Sequence, residues 1–292
     1  MFQGVFTALV TPFRKGAVDE DALGRLVDTQ VQAGVHGLVV CGTTGEAASM
    51  TLKEKERAIK VVVEQTRGRV SVIAGTGSNN TMNTVEATSH VASLGVDAAL
   101  VVTPYYVKPP QRGLVEHYKQ VARVGLPIVA YNVPSRTGVT MTPDTVRHLA
   151  DISKIVALKE ASGDMVLGAE IIGAVGQTMD ILSGDDGTFL PLLSVGCAGC
   201  VSVLSNVAPR QVVDLYESFV SGDMLRARQL HLKLLPLVRA LFSESNPIPV
   251  KAALSMMGQV GEEIRAPLAV MEKRARQELK TTMQQLGLVE KK

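Results

Sequence analysis

Residues 127–132 read PIVAYN and residues 155–160 read IVALKE, and these two stretches decide the fold. Both are too short for a helix, contain β-branched residues and stay apolar up to a polar end, which is typical of strands covered on both faces of a parallel sheet. Six further runs share the pattern: VFTALV (5–10), GLVVCG (37–42), VSVIAG (70–75), AALVVT (98–103), MDILSG (179–184) and CVSVLS (200–205). We therefore predict eight buried parallel strands.

Segments with helical periodicity separate these runs, for example residues 19–34 and 51–66. Eight alternating strand and helix units match an α/β fold, the (β/α)8 TIM barrel, whereas open doubly wound sheets usually have about five to seven strands. After about residue 207 the pattern is helical to the end. We predict a catalytic barrel over residues 1–206, whose last helix continues to about 222, and a C-terminal helical extension over 223–292 that covers the barrel or contacts another subunit.

Composition and charge narrow the classes of protein. Apolar residues make up 46% and charged residues 20% of the 292 residues, as in folded globular domains. The net charge of +2 gives no broad basic surface for nucleic acid. No apolar run approaches the roughly 18 residues that a membrane span needs, and no secretion signal is evident. We expect a cytoplasmic protein that binds neither nucleic acid nor membranes.

Motifs for metals, nucleotides and redox chemistry are missing or incomplete. No HExxH, GxGxxG or GK[ST] pattern occurs, so we expect no metal and no nucleotide cofactor. Cys41, Cys197 and Cys200 are too few for a disulfide framework, and we interpret the last two as buried core thiols rather than a redox pair. Asp185 and Asp186 could bind a cation or cap a helix, and we favour capping.

Lys159 is the sharpest chemical signal, because it ends a predicted buried strand where a solvated lysine is not normally found. Burial disfavours the charged ammonium, and a free amine could attack a ketone to form an iminium. The alternative is a lysine paired with the adjacent Glu160 or with another carboxylate.

Polar residues at other strand ends could complete such a site at the mouth of the barrel. Tyr131 could shuttle a proton or simply cap the core, and Arg136 could hold a carboxylate or lie on the surface. In GTTGE (42–46) the hydroxyls of Thr43 and Thr44, together with backbone amides, could cradle a small carboxylate.

The chain resembles the dihydrodipicolinate synthase family over essentially its whole length. The wider group, which includes N-acetylneuraminate lyase and keto-deoxy-sugar aldolases, shares GTTGE with small changes, whereas PSRTG combined with ESNPIPVK is more specific. Five segments carry the resemblance: GTTGE (42–46), TPYY (103–106), YNVPSRTG (131–138), ALKEASGD (157–164) and SESNPIPVK (243–251).

The resemblance implies a class I, Schiff-base-forming lyase without a cofactor. Its reaction would condense pyruvate with L-aspartate-4-semialdehyde to 4-hydroxy-tetrahydrodipicolinate, the first committed step of diaminopimelate and lysine biosynthesis. Lys159 would form the Schiff base, and Tyr131, Thr43 and Tyr106 would relay protons. The resemblance also implies that Tyr106 enters the site of a neighbouring subunit, within a homotetramer that is a dimer of tight dimers.

The same resemblance assigns the substrate-binding residues. Thr43 and Thr44 would hold the carboxylate of pyruvate, Arg136 would hold that of the semialdehyde, and the backbones of Gly184 and Val201 would line the pocket. Relatives that act on sugar acids generally lack an arginine in this loop. A sugar-acid aldolase, and a barrel that has lost catalysis and only binds ligands, are the competing hypotheses.

One departure concerns regulation. Family members that lysine inhibits tend to carry two histidines shortly after GTTGE and a glutamate in the helix after GTG, where this chain has Leu52, Lys55 and Asn83. Asn79 and Tyr105 are kept. We predict little or no inhibition by lysine.

Overall fold

Eight parallel strands close into a barrel in the computed structural model, which describes residues 2–290. The first strand pairs with both the second and the last, and each strand between these two ends of the series pairs with its two neighbours in the chain. The predicted (β/α)8 TIM barrel is confirmed, and each predicted strand is present. The strands are β1 (Gly4–Ala8), β2 (Gly37–Val40), β3 (Ser71–Gly75), β4 (Ala98–Val102), β5 (Ile128–Asn132), β6 (Ile155–Glu160), β7 (Asp180–Ser183) and β8 (Gly199–Ser202).

A helix follows each barrel strand, and a two-stranded hairpin, Phe13–Arg14 with Ala17–Val18, lies between β1 and the first helix. A single helical turn, Pro134–Thr137, comes directly after β5. The barrel helices are α1 (Glu20–Gln32), α2 (Leu52–Thr66), α3 (Thr81–Ala92), α4 (Gln111–Ala122), α5 (Pro143–Ala150), α6 (Met165–Val175), α7 (Phe189–Ser194) and α8 (Pro209–Val220).

Three further helices follow the barrel: α9 (Met224–Leu241), α10 (Ile248–Met256) and α11 (Lys273–Gln285). Their apolar residues, such as Leu237, Leu254 and Leu279, belong to the same core cluster as Val5 of β1 and Leu38 of β2. The extension therefore packs on the barrel. The exact division into 1–206, a last helix to about 222, and 223–292 stays a prediction, and residues 291–292 lie outside the described part of the chain.

Side chains alternate between the inside and the outside of the barrel, as strand geometry requires. In β6, Ala157 belongs to the cluster that fills the barrel interior, whereas Leu158 packs against the surrounding helices. Lys159 therefore points inward and Glu160 outward. Tyr131 of β5 belongs to the interior cluster and pairs in register with Lys159.

Candidate active site

Lys159 lies at the carboxyl end of β6 with only 6% of its surface exposed. Its Nζ atom lies over the ring of Tyr131, 4.3 Å from the ring centroid. The two side chains come from adjacent strands paired in register, so the sheet itself fixes their separation. The predicted nucleophile and its predicted proton donor are thus neighbours at the barrel mouth.

Glu160, the carboxylate considered as an alternative partner of Lys159, is engaged elsewhere. Its carboxylate accepts hydrogen bonds from Nδ2 of Asn132 at 2.7 Å and from the backbone N–H of Ser162 at 2.6 Å. Within residues 2–290, Lys159 takes part in no ion pair, although thirteen other pairs form. The hypothesis of a structural Lys159–Glu160 pair is therefore wrong.

Gly184, just after β7, leaves the room that the Lys159 side chain occupies. A Cβ atom at this position would lie 2.8 Å from Cε of Lys159 and 2.6 Å from Cβ of Ala161, which is closer than atoms can pack. The backbone N–H of Gly184 donates to the carbonyl of Glu160 at 2.7 Å, which fixes the approach. Val201 of β8 is buried in the interior cluster, as expected of a lining residue.

The GTTGE loop is bracketed by two left-handed residues, Cys41 with φ 55° and Glu46 with φ 54°. Such a conformation is costly for residues other than glycine and needs support from its surroundings. Thr43 is exposed, whereas Thr44 is buried and its Oγ1 accepts a hydrogen bond from Nδ2 of Asn246 at 2.9 Å. The two threonines therefore face different surroundings.

Arg136 belongs to the single helical turn Pro134–Thr137. Its Nη2 donates to the backbone carbonyl of Asn246 at 3.3 Å. Thr44 and Arg136, which the resemblance assigned to two different carboxylates, are therefore joined through one residue of the extension. The sequence contained Asn246 in ESNPIPVK, but nothing in that segment showed which residues it contacts.

Tyr106, another predicted site residue, lies on the surface of the chain. It is 86% exposed, has φ 73° and is followed by Val107, which is also exposed. A left-handed backbone is costly for a tyrosine and needs support from its surroundings, and this exposed side chain has little contact with its own chain. Its predicted role in a neighbouring subunit stays a prediction.

The remaining polar residues noted in the sequence have structural uses. Asp186 is buried, which raises its pKa, and it accepts hydrogen bonds from the backbone amides of Val203 and Leu204 at 3.0 and 2.9 Å. Asp185 accepts from the backbone N–H of Thr188, one residue before α7, at 2.8 Å. Backbone amides therefore engage both carboxylates, but Thr188 rather than an aspartate is the N-cap residue of α7, so the capping role stays a prediction.

The three cysteines are free and buried. Burial raises the pKa of Cys41 to about 12 and that of Cys197 to about 11, and it raises that of Cys200 well above its ordinary value. Thiols this basic are poor nucleophiles, so the interpretation of Cys197 and Cys200 as core thiols is confirmed.

Among residues 2–290 no group of three or more His, Cys, Asp or Glu could hold a metal, and no helix could span a membrane.

Fold and site together define a (β/α)8 barrel of the class I, lysine-dependent aldolase type. The chain belongs to the dihydrodipicolinate synthetase family, whose model matches residues 1–286, which confirms the resemblance. A relative from Geotalea uraniireducens, named 4-hydroxy-tetrahydrodipicolinate synthase, is 48% identical over 99% of this chain and 100% of its own length.

Solved structures give the same result. The dihydrodipicolinate synthase of Thermotoga maritima superposes with a TM-score of 0.98 at 41% identity, over 99% of this chain and 100% of that chain. The enzyme of Acinetobacter baumannii, solved in a chloride-inhibited form in complex with pyruvate, gives a TM-score of 0.97 at 40% identity over 99% and 100%.

Proposed function

We propose that this chain condenses pyruvate with L-aspartate-4-semialdehyde to 4-hydroxy-tetrahydrodipicolinate, through a Schiff base on Lys159. The observation that carries the proposal is a buried lysine that faces a tyrosine and lacks a carboxylate partner within residues 2–290. A lysine amine that is not held in an ion pair can attack a ketone carbon. The names of the relatives and the pyruvate complex of the Acinetobacter baumannii enzyme support the choice of substrates.

Nζ of Lys159 attacks the ketone carbon of pyruvate, and the resulting carbinolamine loses water to give an iminium. Loss of a methyl proton converts the iminium to an enamine, whose carbon then attacks the aldehyde of the second substrate. The amino group of that substrate finally displaces Nζ of Lys159 from the iminium carbon, which closes the ring and frees the lysine. Tyr131, whose ring centroid lies 4.3 Å from Nζ, carries these protons in this proposal. Thr43 and a Tyr106 from a neighbouring subunit complete the relay in this proposal.

The exposed loop at TPYY supports a homotetramer built from tight dimers. Tyr105, Tyr106 and Val107 expose 40%, 86% and 56% of their surfaces, and adjacent aromatic and apolar side chains of this kind are enriched where subunits meet. We place the enzyme in the cytoplasm because its three thiols are free.

Reduction with borohydride in the presence of pyruvate tests the proposal. Mass spectrometry is expected to find one adduct per chain, on Lys159. A chain that pyruvate and borohydride leave unmodified would refute the Schiff-base mechanism and favour a barrel that only binds ligands.

Arg136 separates the proposed synthase from a sugar-acid aldolase, because it offers a planar fork to a second carboxylate. Arg136→Ala is expected to raise the KM for aspartate semialdehyde by about tenfold or more, while pyruvate trapping stays normal. An unchanged KM would show that the arginine does not bind this substrate.

Lysine is expected to inhibit weakly or not at all. Lys55 puts a positive charge where inhibited relatives tend to carry a histidine, and it would repel the ammonium of the ligand. Steady-state rates with millimolar lysine test this expectation, and strong inhibition would contradict it.

A further inference from the structure

The extension contacts the GTTGE loop at two residues, one on each side of its second glycine, Gly45. Asn246 contacts Thr44, and Lys251 contacts Glu46. Asn246 and Lys251 lie within one short segment at the start of α10, so a single piece of the extension holds both sides of Gly45.

The contact at Glu46 is a fully buried ion pair. Nζ of Lys251 lies 2.6 Å from Oε1 of Glu46, and the two side chains are 2% and 1% exposed. Oε2 of the same carboxylate accepts the backbone N–H of Arg265 at 2.9 Å, and Nζ of Lys251 also lies over the ring of Phe13. Every oxygen of this carboxylate is therefore engaged, and the costly left-handed backbone of Glu46 is held by strong contacts.

The contact at Thr44 determines what its hydroxyl can do. A hydroxyl has one proton to donate and two lone pairs that accept. Because Oγ1 of Thr44 accepts from Nδ2 of Asn246, the proton of Thr44 stays free for a ligand. Oδ1 of Asn246 is buried and has no hydrogen-bond partner within residues 2–290.

We infer that Asn246 and Lys251 are positioning residues for pyruvate: Asn246 orients the hydroxyl of Thr44 towards the carboxylate, and Lys251 fixes the loop through Glu46. The inference rests on the proposed function, since it assumes that Thr44 binds pyruvate. It makes the extension part of the pyruvate site, although neither residue reacts. Arg136 uses only the backbone carbonyl of Asn246, so a side-chain change leaves that contact in place.

Borohydride trapping at graded pyruvate concentrations tests the role of Asn246, because it reports Schiff-base formation without the second substrate. In Asn246→Ala, the pyruvate concentration for half-maximal trapping is expected to rise about tenfold, the equivalent of one hydrogen bond. The KM for the semialdehyde is expected to stay within about twofold. Asn246→Asp is expected to bind pyruvate still less well, because its carboxylate accepts the hydrogen bond of the Thr44 hydroxyl and repels the carboxylate of the ligand.

A double-mutant cycle with Thr44→Val separates positioning from a general structural role. If Asn246 acts through Thr44, Asn246→Ala adds nothing to the half-saturation value once Thr44 is valine. An equal rise in both backgrounds, or no rise in either, would overturn the role of Asn246. Ser243→Ala is the matched control, because Ser243 lies three residues away and its exposed hydroxyl donates only to the backbone of Ala240.

The role of Lys251 is tested with Glu46→Gln/Lys251→Met, which removes both charges together and so avoids leaving one of them buried alone. A several-fold rise in the half-saturation value, with normal unfolding cooperativity, is expected. A folded double variant that is trapped like the wild type would overturn this part. Failure of the wild type itself to be trapped would instead refute the proposed function.

Discussion

Two buried lysines, Lys159 and Lys251, occupy opposite chemical surroundings. Lys251 lies in α10, with Nζ 2.6 Å from a buried carboxylate oxygen of Glu46. Lys159 lies at the end of β6, over the ring of Tyr131 and, within residues 2–290, without an ion pair. Both side chains are almost inaccessible, so burial alone does not distinguish a nucleophile from a structural cation.

The difference lies in what stabilises the positive charge. Burial lowers the pKa of Lys251, while the hydrogen bond and charge of Glu46 act in the opposite direction and favour the ammonium. A lysine of this kind is held in place by its buried ion pair and has a structural role. Lys159 instead lies over the aromatic ring of Tyr131, and within residues 2–290 its amine is not held by a carboxylate.

Lys159→Met should have the largest effect on activity and should leave the fold intact. We expect turnover to fall about 10⁵-fold or more, since the covalent nucleophile is gone. Stability should stay the same or rise, because methionine fills a similar volume without a buried amine. Turnover, pyruvate trapping and urea unfolding measure these outcomes, and a variant that still forms an adduct elsewhere would contradict the assignment.

The sequence alone was sufficient to identify Lys159 as a candidate nucleophile, because the pattern that indicates it lies within a few adjacent residues. A lysine that ends a continuous apolar strand is unusual wherever it occurs, and the parallel barrel guarantees that strand ends meet. The strands themselves were predictable for the same reason, since a run such as IVALKE excludes an amphipathic element. Tyr131 followed from the same pattern one strand earlier.

Lys251 could not be interpreted in the same way, because its partner Glu46 lies 205 residues away in the chain. No periodicity reports a contact of that span, and NPIPVK shows only the start of a helix. The link from Asn246 to Thr44, at a separation of 202 residues, was missed for the same reason. The sequence also left a Lys159–Glu160 pair possible. In the structure, side chains alternate along β6, so Glu160 lies on the opposite face of the strand from Lys159.

Lys251→Met should lower stability, whereas Lys159→Met should leave stability unchanged or raise it. Removing one partner leaves the carboxylate of Glu46 buried and uncompensated, at a cost of about 3 to 5 kcal/mol in the free energy of unfolding. The variant Glu46→Gln/Lys251→Met should lose much less. Urea unfolding of the three proteins measures this, and equal stability of the single and double variants would show that the pair is not the source of the cost.

Gly184→Ala should have an intermediate effect, because it changes the position of Lys159 at the barrel mouth but leaves the Lys251–Glu46 pair intact. The new Cβ would lie 2.8 Å from Cε of Lys159, so the lysine must move. We expect kcat/KM to fall by about tenfold to a hundredfold, because displacement of a reacting atom by about 1 Å is costly. Gly163→Ala tests how far the effect is specific, because a Cβ at Gly163 meets no atom within 4 Å, although its φ of 74° makes the backbone itself unfavourable. Similar losses of kcat/KM in both variants would show that the loss does not come from the contact with Lys159.

Low pH should slightly lower the stability of the protein by protonating Glu54, which pairs with Arg265 of the extension. The hydrogen bond from the guanidinium of Arg265, at 2.9 Å between Nη1 and Oε2, is the main cause that lowers the pKa of Glu54 from 4.5 to about 2. The unfolded chain therefore takes up this proton first as the pH falls, and the stability contributed by the pair is lost between about pH 4.5 and 2. The pair is partly exposed, so its contribution should be below about 1 kcal/mol.

Glu54→Gln removes this titration and can still serve the capping box that Glu54 forms with Thr51 at the start of α2. Unfolding free energies measured from pH 6 to pH 2 should therefore fall less steeply in the variant, and the two curves should converge at the acid end. Identical slopes in the two proteins would show that Arg265 does not lower the pKa of Glu54. Arg265 would then differ from Lys251, which is held by a carboxylate.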